Sequence, residues 1–337
     1  MTSRILTAAS NLGNGGLARA LRGEALLERL RGLGPALLAP TLAIVVFLLL
    51  WHVGAGNVNT SLGQLPGPVQ VWEQARELVA EHQRERQKEA DFMARQEQRN
   101  VEKLAKDPSA DVRLRPYTGK PTFLDQIGTS LATVATGFAL ASLLAIPIGI
   151  LCGLSPTVYK ALNPLIQVFK PVSPLAWLPI VTMVVSALYV SADPLFAKSF
   201  ITSAITVTLC CLWPTLLNTT VGVASINQDL VNVSRVLRLG WLTQIRKIVL
   251  PSATPMIFAG LRLSLGVGWM VLIAAEMLAQ NPGLGKFVWD EFQNGSSQSL
   301  ARIMVAVLTV GFIGFLLDRG MLLLQRSVSW DRDATLR

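Results

Sequence analysis

The sequence predicts an all-α polytopic membrane protein: about six transmembrane helices, a basic loop between two of them, and a charged helical insert outside the bilayer. Three observations carry this. The 337 residues are 51% hydrophobic and only 15% charged, with mean hydropathy +0.45, whereas soluble domains carry about 25% charged residues. The apolar residues gather into uncharged runs long enough to cross a hydrocarbon core. The remaining charge is concentrated in a few stretches, one of them built from strong helix formers.

Residues 1–34 read as a cytoplasmic segment, with Arg4, Arg19, Arg22, Arg29 and Arg31 against Glu24 and Glu28. The first span, 35–54, runs from Pro35 through Val53 and ends on Trp51 and His52, residue types common at the membrane interface. The run is long, starts well into the chain and lacks a small-residue cleavage site, so it reads as a span and not as a cleaved signal.

Residues 55–126 form an insert on the far side of the membrane. Glu73 to Asp125 holds eleven basic and eleven acidic side chains. Its composition favours a solvated helix or helical hairpin, because too few apolar positions recur to sustain a coiled-coil seam. It serves either as a spacer or as a docking surface.

The permease-like core covers 127–325. Its first span, Ile127–Gly153, repeats Gly137, Ala141, Ala145, Gly149 and Gly153 every four residues. Such a stripe lets a second helix approach closely, while Pro147 bends this one. Pro164, Pro171, Pro174 and Pro179 then interrupt the apolar sequence. The reading is a short helix over 159–170, a break at Lys170, and a third span over 174–191. Ser199–Val223 is the fourth span, Met256–Ala279 the fifth and Ala301–Leu324 the sixth; 326–337 is a cytoplasmic tail. The Gly-, Pro- and Asn-bearing stretch between the last two reads as an outer loop with short helices. Six spans place both termini and the loop 225–251 on one side, and the basic residues Arg235, Arg238, Arg246, Lys247, Arg326, Arg332 and Arg337 agree with a cytoplasmic one.

Inside the loop, Val233, Val236 and Leu237 make one helical stripe, and Leu242, Ile245, Ile248 and Val249 another. Ser225 with Gln228 reads as a capping box, Gly240 as the turn between two short helices, and Pro251 as the end of the second. Both helices are expected to lie flat at the membrane surface.

This loop resembles the coupling loop of permeases from ATP-driven importers, whose pattern is E-A-A-x3-G-x9-I-x-L-P. Ile248, Leu250 and Pro251 match its end. Counting back puts its first residues at Asn232, Val233 and Ser234 and its glycine at Arg238, so Glu becomes Asn and Gly becomes Arg. The resemblance implies a type I importer-permease fold in which Asn232, Val233, Ser234, Arg235, Val236, Leu237, Arg238, Leu239 and Gly240 dock on an ATPase subunit. It further implies a homodimer of this chain in a bacterial inner membrane, two cytoplasmic ATP-binding subunits carrying ATP and Mg, and an outer anion-binding protein. The runs NPLIQVFKPVSPLAWLPIVTMVVSALY and YTGKPTFLDQIGTSLATVATGF resemble nitrate/nitrite permeases in particular. Bicarbonate, taurine, sulfonate and cyanate permeases share the PLAWLP core.

Candidate substrate-path residues are Lys170 at the Pro-rich break, Trp177 nearby, Thr206, Asn218 and Thr219 on the fourth span, and Arg262 on the fifth. Charges in a span face protein or water, which suits Arg262 either to an anion route or to a structural tie. Thr206 and Thr219 either line a path or bond back to their own helix. Glu276 shares a face with Arg262 about 21 Å away, too far for direct pairing, and reads as structural. The chain has no Walker A pattern, no CxxC spacing and only isolated histidines, so no cofactor or metal is expected on it. A formal charge of +9 and pI near 9.9 fit a basic cytoplasmic side better than nucleic acid, since no aromatic–basic interleaving occurs. Two other classes stand beside the importer reading: a secondary transporter working without ATP, and a structural membrane subunit.

Overall fold

The computed structural model describes residues 24–60, 63–107, 112, 114–190, 195–296 and 298–328, with side chains from residue 38 onward. The expected segment 1–34 lies mostly outside them, as do Arg332 and Arg337. Two units separate, 1–70 and 71–337. In the first, α1 (Glu24–Gly56) contains the apolar stretch Leu38–Gly56. A short hairpin follows, β1 (Asn59–Thr60) and β2 (Gly63–Gln64), with Asn59 opposite Gln64.

The insert is one helix, α2 (Pro68–Lys106), and not a hairpin. Its 39 residues extend about 58 Å at the ordinary helical rise. The chain after it returns along the same helix in extended form. Tyr117 donates to Glu85 Oε1 at 2.7 Å and lies tilted against Phe92 at 5.5 Å, while Thr122 Oγ1 lies 2.6 Å from His82 Nδ1. Thr122 and Asp125 form a capping box that starts α3 (Phe123–Leu154), and Arg86 reaches Asp125 at 3.1 Å. On its other flank Glu81 accepts from Arg302, which also donates to Glu291.

The core is a packed set of helices centred on α6 (Lys198–Ala224). The small-residue stripe of α3 is the surface that α6 meets. Ala141 and Ala145 are fully buried, and a Cβ placed on Gly137 or Gly149 would come within 2.7 Å of Ala204 O or Thr219 Cβ. On the opposite side α9 (Leu250–Ala279) uses the same device, which the sequence reading missed. Gly260, Ser264 and Gly268 recur every four residues and face Asn218 and Cys211. Ser264 donates to the Cys211 carbonyl. Outside a bilayer's centre burial drives packing, but between spans close van der Waals approach does; both faces of α6 are built for it.

Between α3 and α6 lie α4 (Pro156–Phe169) and α5 (Pro174–Leu188), bent by 98° at the expected Pro-rich break. Five helices are long and apolar enough to cross a membrane, or six if this bent pair counts as one span. At 15 residues, α5 is only about 22 Å long, so the third span is a broken one. After α9 come α10 (Leu284–Asn294), ended by Gly295 in the left-handed region at φ 59°, and α11 (Ser299–Val328). Glu276 is fully buried at the α9–α10 turn. It accepts from Ser130 at 2.8 and 2.9 Å and from the Gly285 amide at 3.0 Å; it has a hydroxyl and an amide for partners where a cation would make an ion pair.

Candidate functional site

Most of the residues singled out by sequence fall in three places: a hairpin on the surface, a pocket at the helix break, and an ion pair between α9 and α11.

The hairpin begins with α7 (Gln228–Val236). Its cap is Asn227, whose side chain accepts from the Asp229 amide at 2.9 Å. Ser225 instead closes α6, donating to Gly222 O; Asn227 outcompetes it because Asn sits nearer the first free amides. The left-handed residue of the turn is Arg238 (φ 45°), not Gly240, which precedes α8 (Trp241–Gln244). Leu237 N–H to Val233 O and Leu239 N–H to Ser234 O, each 3.0 Å, close α7 around it. Pro251 does not end a helix. Lacking an amide for the Lys247 carbonyl, it follows a π-helical turn, Ile245–Val249, in which Leu250 N–H reaches Ile245 O. Through that turn α8 runs on into α9, so the second short helix is the first part of the fifth span.

The inner side of this hairpin is anchored by a cluster of Ile150, Val223, Ile226, Val249, Ala253 and Ile257. Ser234 is buried and donates to Val231 O. The stripe Val233, Val236 and Leu237 points the other way and is 50%, 82% and 63% exposed. With Asp229 and Asn232 it lines a shallow depression. Arg235, Arg238 and Leu239 rim it, Leu239 half-buried. An exposed run of Val and Leu on one helix face marks a surface that meets protein or membrane more often than a solvated one.

At the break, Lys170 is the residue after α4, with its amide on Ile166 O. It opens on a pocket of about 230 Å³ shared with Ser173, Trp177, Cys210, Trp213 and Val267. Phe169 lies against Trp177 and Trp213, at centroid separations of 5.7 and 6.4 Å. Among the described residues no carboxylate pairs with the Lys170 ammonium. The structure therefore brings Lys170 and Trp177 together, and adds Trp213 of α6, which sequence reasoning did not single out.

Thr206, Asn218 and Thr219 are elsewhere. Thr206 is buried and donates to Thr202 O; Asn218 Nδ2 donates to Pro214 O and packs under Gly260; Thr219 is fully buried beneath Gly149. Asn218 and Thr219 fill the space beside Gly260 and Gly149 in the α6 seams, and neither they nor Thr206 line the Lys170 pocket. Arg262 pairs with Asp318 of α11, its Nη2 2.8 Å from Oδ2 and its Nε on Oδ1. Sequence spacing had hidden that partner, 56 residues on. Trp269 completes the α9–α11 contact by donating to Val310 O at 2.9 Å.

Comparison with known proteins agrees across sequence and fold. Residues 145–330 match the family described as "Binding-protein-dependent transport system inner membrane component". The chain is 34% identical over 299 residues to the nitrate import permease protein NrtB of Synechocystis sp., covering 87% of this chain and 90% of that one. It is 35% identical over 304 residues to the bicarbonate transport system permease protein CmpB of the same organism, covering 87% and 89%. Against the taurine transport system permease protein TauC of Escherichia coli it is 31% identical over 222 residues, covering 64% and 76%. Its fold is similar to a chain of the inward-facing MetNI methionine ABC transporter, with TM-score 0.52 at 13% identity over 61% of this chain and 95% of that one.

Proposed function

This chain belongs to the family of binding-protein-dependent transport system inner membrane components, the permease subunits of ABC importers, and on that footing we propose that it forms the pathway of an ATP-driven importer for nitrate or nitrite. Two copies of the chain would face each other, with two ATP-binding subunits on the α7 side and an anion-binding protein on the other. ATP and Mg would reside on those partner subunits and none on this chain. The observation that carries the reading is the exposed stripe Val233, Val236 and Leu237 on a hairpin that is anchored beneath and continuous with a membrane span. A stripe so placed turns closure of a partner ATPase into movement of α9. The basic residues Arg235, Arg238, Arg246 and Lys247 beside it support a cytoplasmic location, with both termini on that side.

Lys170 and Trp177 are the residues we assign to the anion, because Lys170 opens on a pocket at the broken span and no carboxylate among the described residues pairs with it. Thr206, Asn218 and Thr219 belong to helix packing.

CmpB is as similar to this chain as NrtB is, which favours bicarbonate as the second reading of the cargo; taurine or another sulfonate is the third. The test is ATP hydrolysis by the reconstituted complex with its binding protein on adding nitrate, nitrite, bicarbonate or taurine. Stimulation by nitrate or nitrite alone is expected; stimulation by bicarbonate or taurine alone would overturn the cargo and keep the importer. Anion uptake that persists after ATP is depleted at constant membrane potential would replace the importer reading with a secondary transporter. A complex that assembles with ATPases and moves no anion would leave a structural subunit.

A further inference from the structure

We propose that Arg262 and Asp318 form a second oxyanion station, separated from the Lys170 pocket by Val267, at which the transported anion replaces the Asp318 carboxylate on the guanidinium. The proposal rests on the reading of this chain as an anion permease.

Four observations converge on it. The first is shape. Arg262 grips Asp318 with Nε and Nη2 on the two carboxylate oxygens. Nitrate and bicarbonate present the same planar pair of oxygens, and the guanidinium fork is matched to that geometry. The group that holds Asp318 is thus already arranged to hold the cargo.

The second is access. The side chains of Arg262 and Asp318 are 41% and 37% exposed although both lie in spanning helices. Arg262 stands 17 residues from Ala279, about 25 Å along α9, so with Ala279 at one edge of a hydrocarbon core of roughly 30 Å it lies just inside the other edge. Charged side chains within a span face water or protein in preference to lipid, and these two open on a shared cavity. A pocket of about 190 Å³ lies there between α9 and α11, lined otherwise by Leu265, Gly266, Trp269, Met270, Gly314 and Leu317. That is the space of about six waters, and none of those six residues offers the guanidinium an anion.

The third is continuity. Val267 lines the Lys170 pocket and also a larger depression of about 490 Å³ that contains Arg262 and Asp318. Five residues separate Val267 from Arg262, about 7.5 Å of helix rise, in the direction of the α7 hairpin. An anion passing Val267 leaves one cation and meets the next, closer to the coupling end.

The fourth is charge. Lys170 has no carboxylate partner among the described residues, whereas Arg262 has its own. A free cation captures; a self-neutralised one admits an anion only when its carboxylate yields. Asp318 therefore sets release. With it in place the anion is not trapped on the guanidinium, because the carboxylate returns and displaces the anion toward the α7 side.

The test uses the complete complex with its ATPases and binding protein in proteoliposomes, read by nitrate uptake. The double variant Arg262→Leu with Asp318→Leu separates a station from a structural tie, since replacing an embedded ion pair by apolar groups is often neutral for folding. We expect it to assemble and to lose uptake at least about tenfold; uptake within about twofold of wild type overturns the station. Asp318→Asn frees the guanidinium, and we expect KM and kcat to fall together, each about tenfold, as for a ligand held too well. If the double variant does not assemble, this split decides alone, and an unchanged KM overturns the proposal. A wild-type complex that shows no ATP-dependent anion uptake removes instead the permease reading on which the station rests.

Discussion

Arg238 occupies the left-handed region at φ 45°, at the position where the coupling-loop pattern holds glycine. An L side chain enters that region at a cost of about 1–2 kcal/mol, while glycine enters it freely but loses about 0.5–1 kcal/mol more in conformational freedom on folding. Arg238→Gly is therefore expected to stabilise the turn by roughly 0.5–1 kcal/mol, slowing local opening about two- to fivefold. The Leu239 amide, which donates to Ser234 O across the turn, reports this by hydrogen exchange. On the docking proposed above, the exposed guanidinium would meet the ATPase partner, which gives arginine a reason to stand there. Truncating a charge that becomes buried and hydrogen-bonded in an interface costs about 2–5 kcal/mol, so the same variant is expected to bind the ATPases at least about tenfold more weakly and to lose anion-stimulated hydrolysis. Faster exchange at Leu239 would refute the strain argument. Unchanged coupling together with slower exchange would refute the functional one.

Val236→Ser with Leu237→Ser removes side chains that are 82% and 63% exposed; at about 1.5–3 kcal/mol per buried Val or Leu, docking weakens by roughly 2–4 kcal/mol, seen as loss of co-purifying ATPase with the permease itself still folded. Lys170→Ala is expected to slow anion uptake with assembly intact and Lys170→Arg to restore most of it; unchanged kinetics would assign Lys170 to structure. Gly149→Ala puts a Cβ 2.7 Å from Thr219 Cβ and 2.9 Å from Leu216 O and should lower thermal stability by about 1–3 kcal/mol, whereas Gly311→Ala, with nothing within 4 Å, should raise it by up to about 1 kcal/mol. At the insert, the hydroxyl of Tyr117 holds the Glu85 carboxyl below its ordinary 4.5, helped by Lys88, and the same bond holds the Tyr117 hydroxyl above its ordinary 10.0. A lowered carboxylate contributes above its unfolded value and is lost on acidification; a raised phenol contributes below its unfolded value and is lost on alkalinisation. Protection of residues 114–120 from proteolysis should therefore be flat through neutral pH and fall at both ends, and Tyr117→Phe should remove the plateau.

Most helices were legible because apolar runs and proline breaks are local signals. The α3 stripe was legible too, since Gly and Ala at four-residue spacing have few other reasons to recur. The matching stripe of α9, Gly260, Ser264 and Gly268, carries the same signal but was masked by Arg262, which drew the reading toward charge. The hairpin was legible as two helices and misread at their ends. Ser225, Asn227 and Gly240 are all acceptable cap or turn residues, and only tertiary anchoring chooses among them. The π-helical turn before Pro251 left no local trace, because a proline that usually closes a helix can also sit in the first turn of the next. Pairing across 56 residues, as in Arg262 with Asp318, is invisible to periodicity. For the same reason the polar residues of α6 could not be sorted between a pathway and a seam: a threonine beside a glycine of another helix looks like any other threonine.

The placement of those seams bears on how force would travel. α6 is gripped on one side by the small residues of α3 and on the other by those of α9, with contacts close enough that a single added carbon comes within 2.7, 2.9 and 3.1 Å of the backbone oxygens of Ala204, Leu216 and Pro214. Such surfaces slide poorly, because interfaces packed this tightly have discrete arrangements and not a continuum of them. α9 is also continuous with the α8 end of the hairpin through the π-helical turn, so a push on the exposed stripe of α7 has a helix, and not a loop, to act through. The compliant places are the 98° break at Lys170 and the α9–α11 contact, whose polar ties among the described residues are an ion pair and an indole hydrogen bond. Both carry a cation and both adjoin Val267. A rigid α3–α6–α9 body with its soft joints at the two cations would change the access to those cations whenever the hairpin moves, and that is the requirement for an anion path whose opening is set by a partner's ATP cycle.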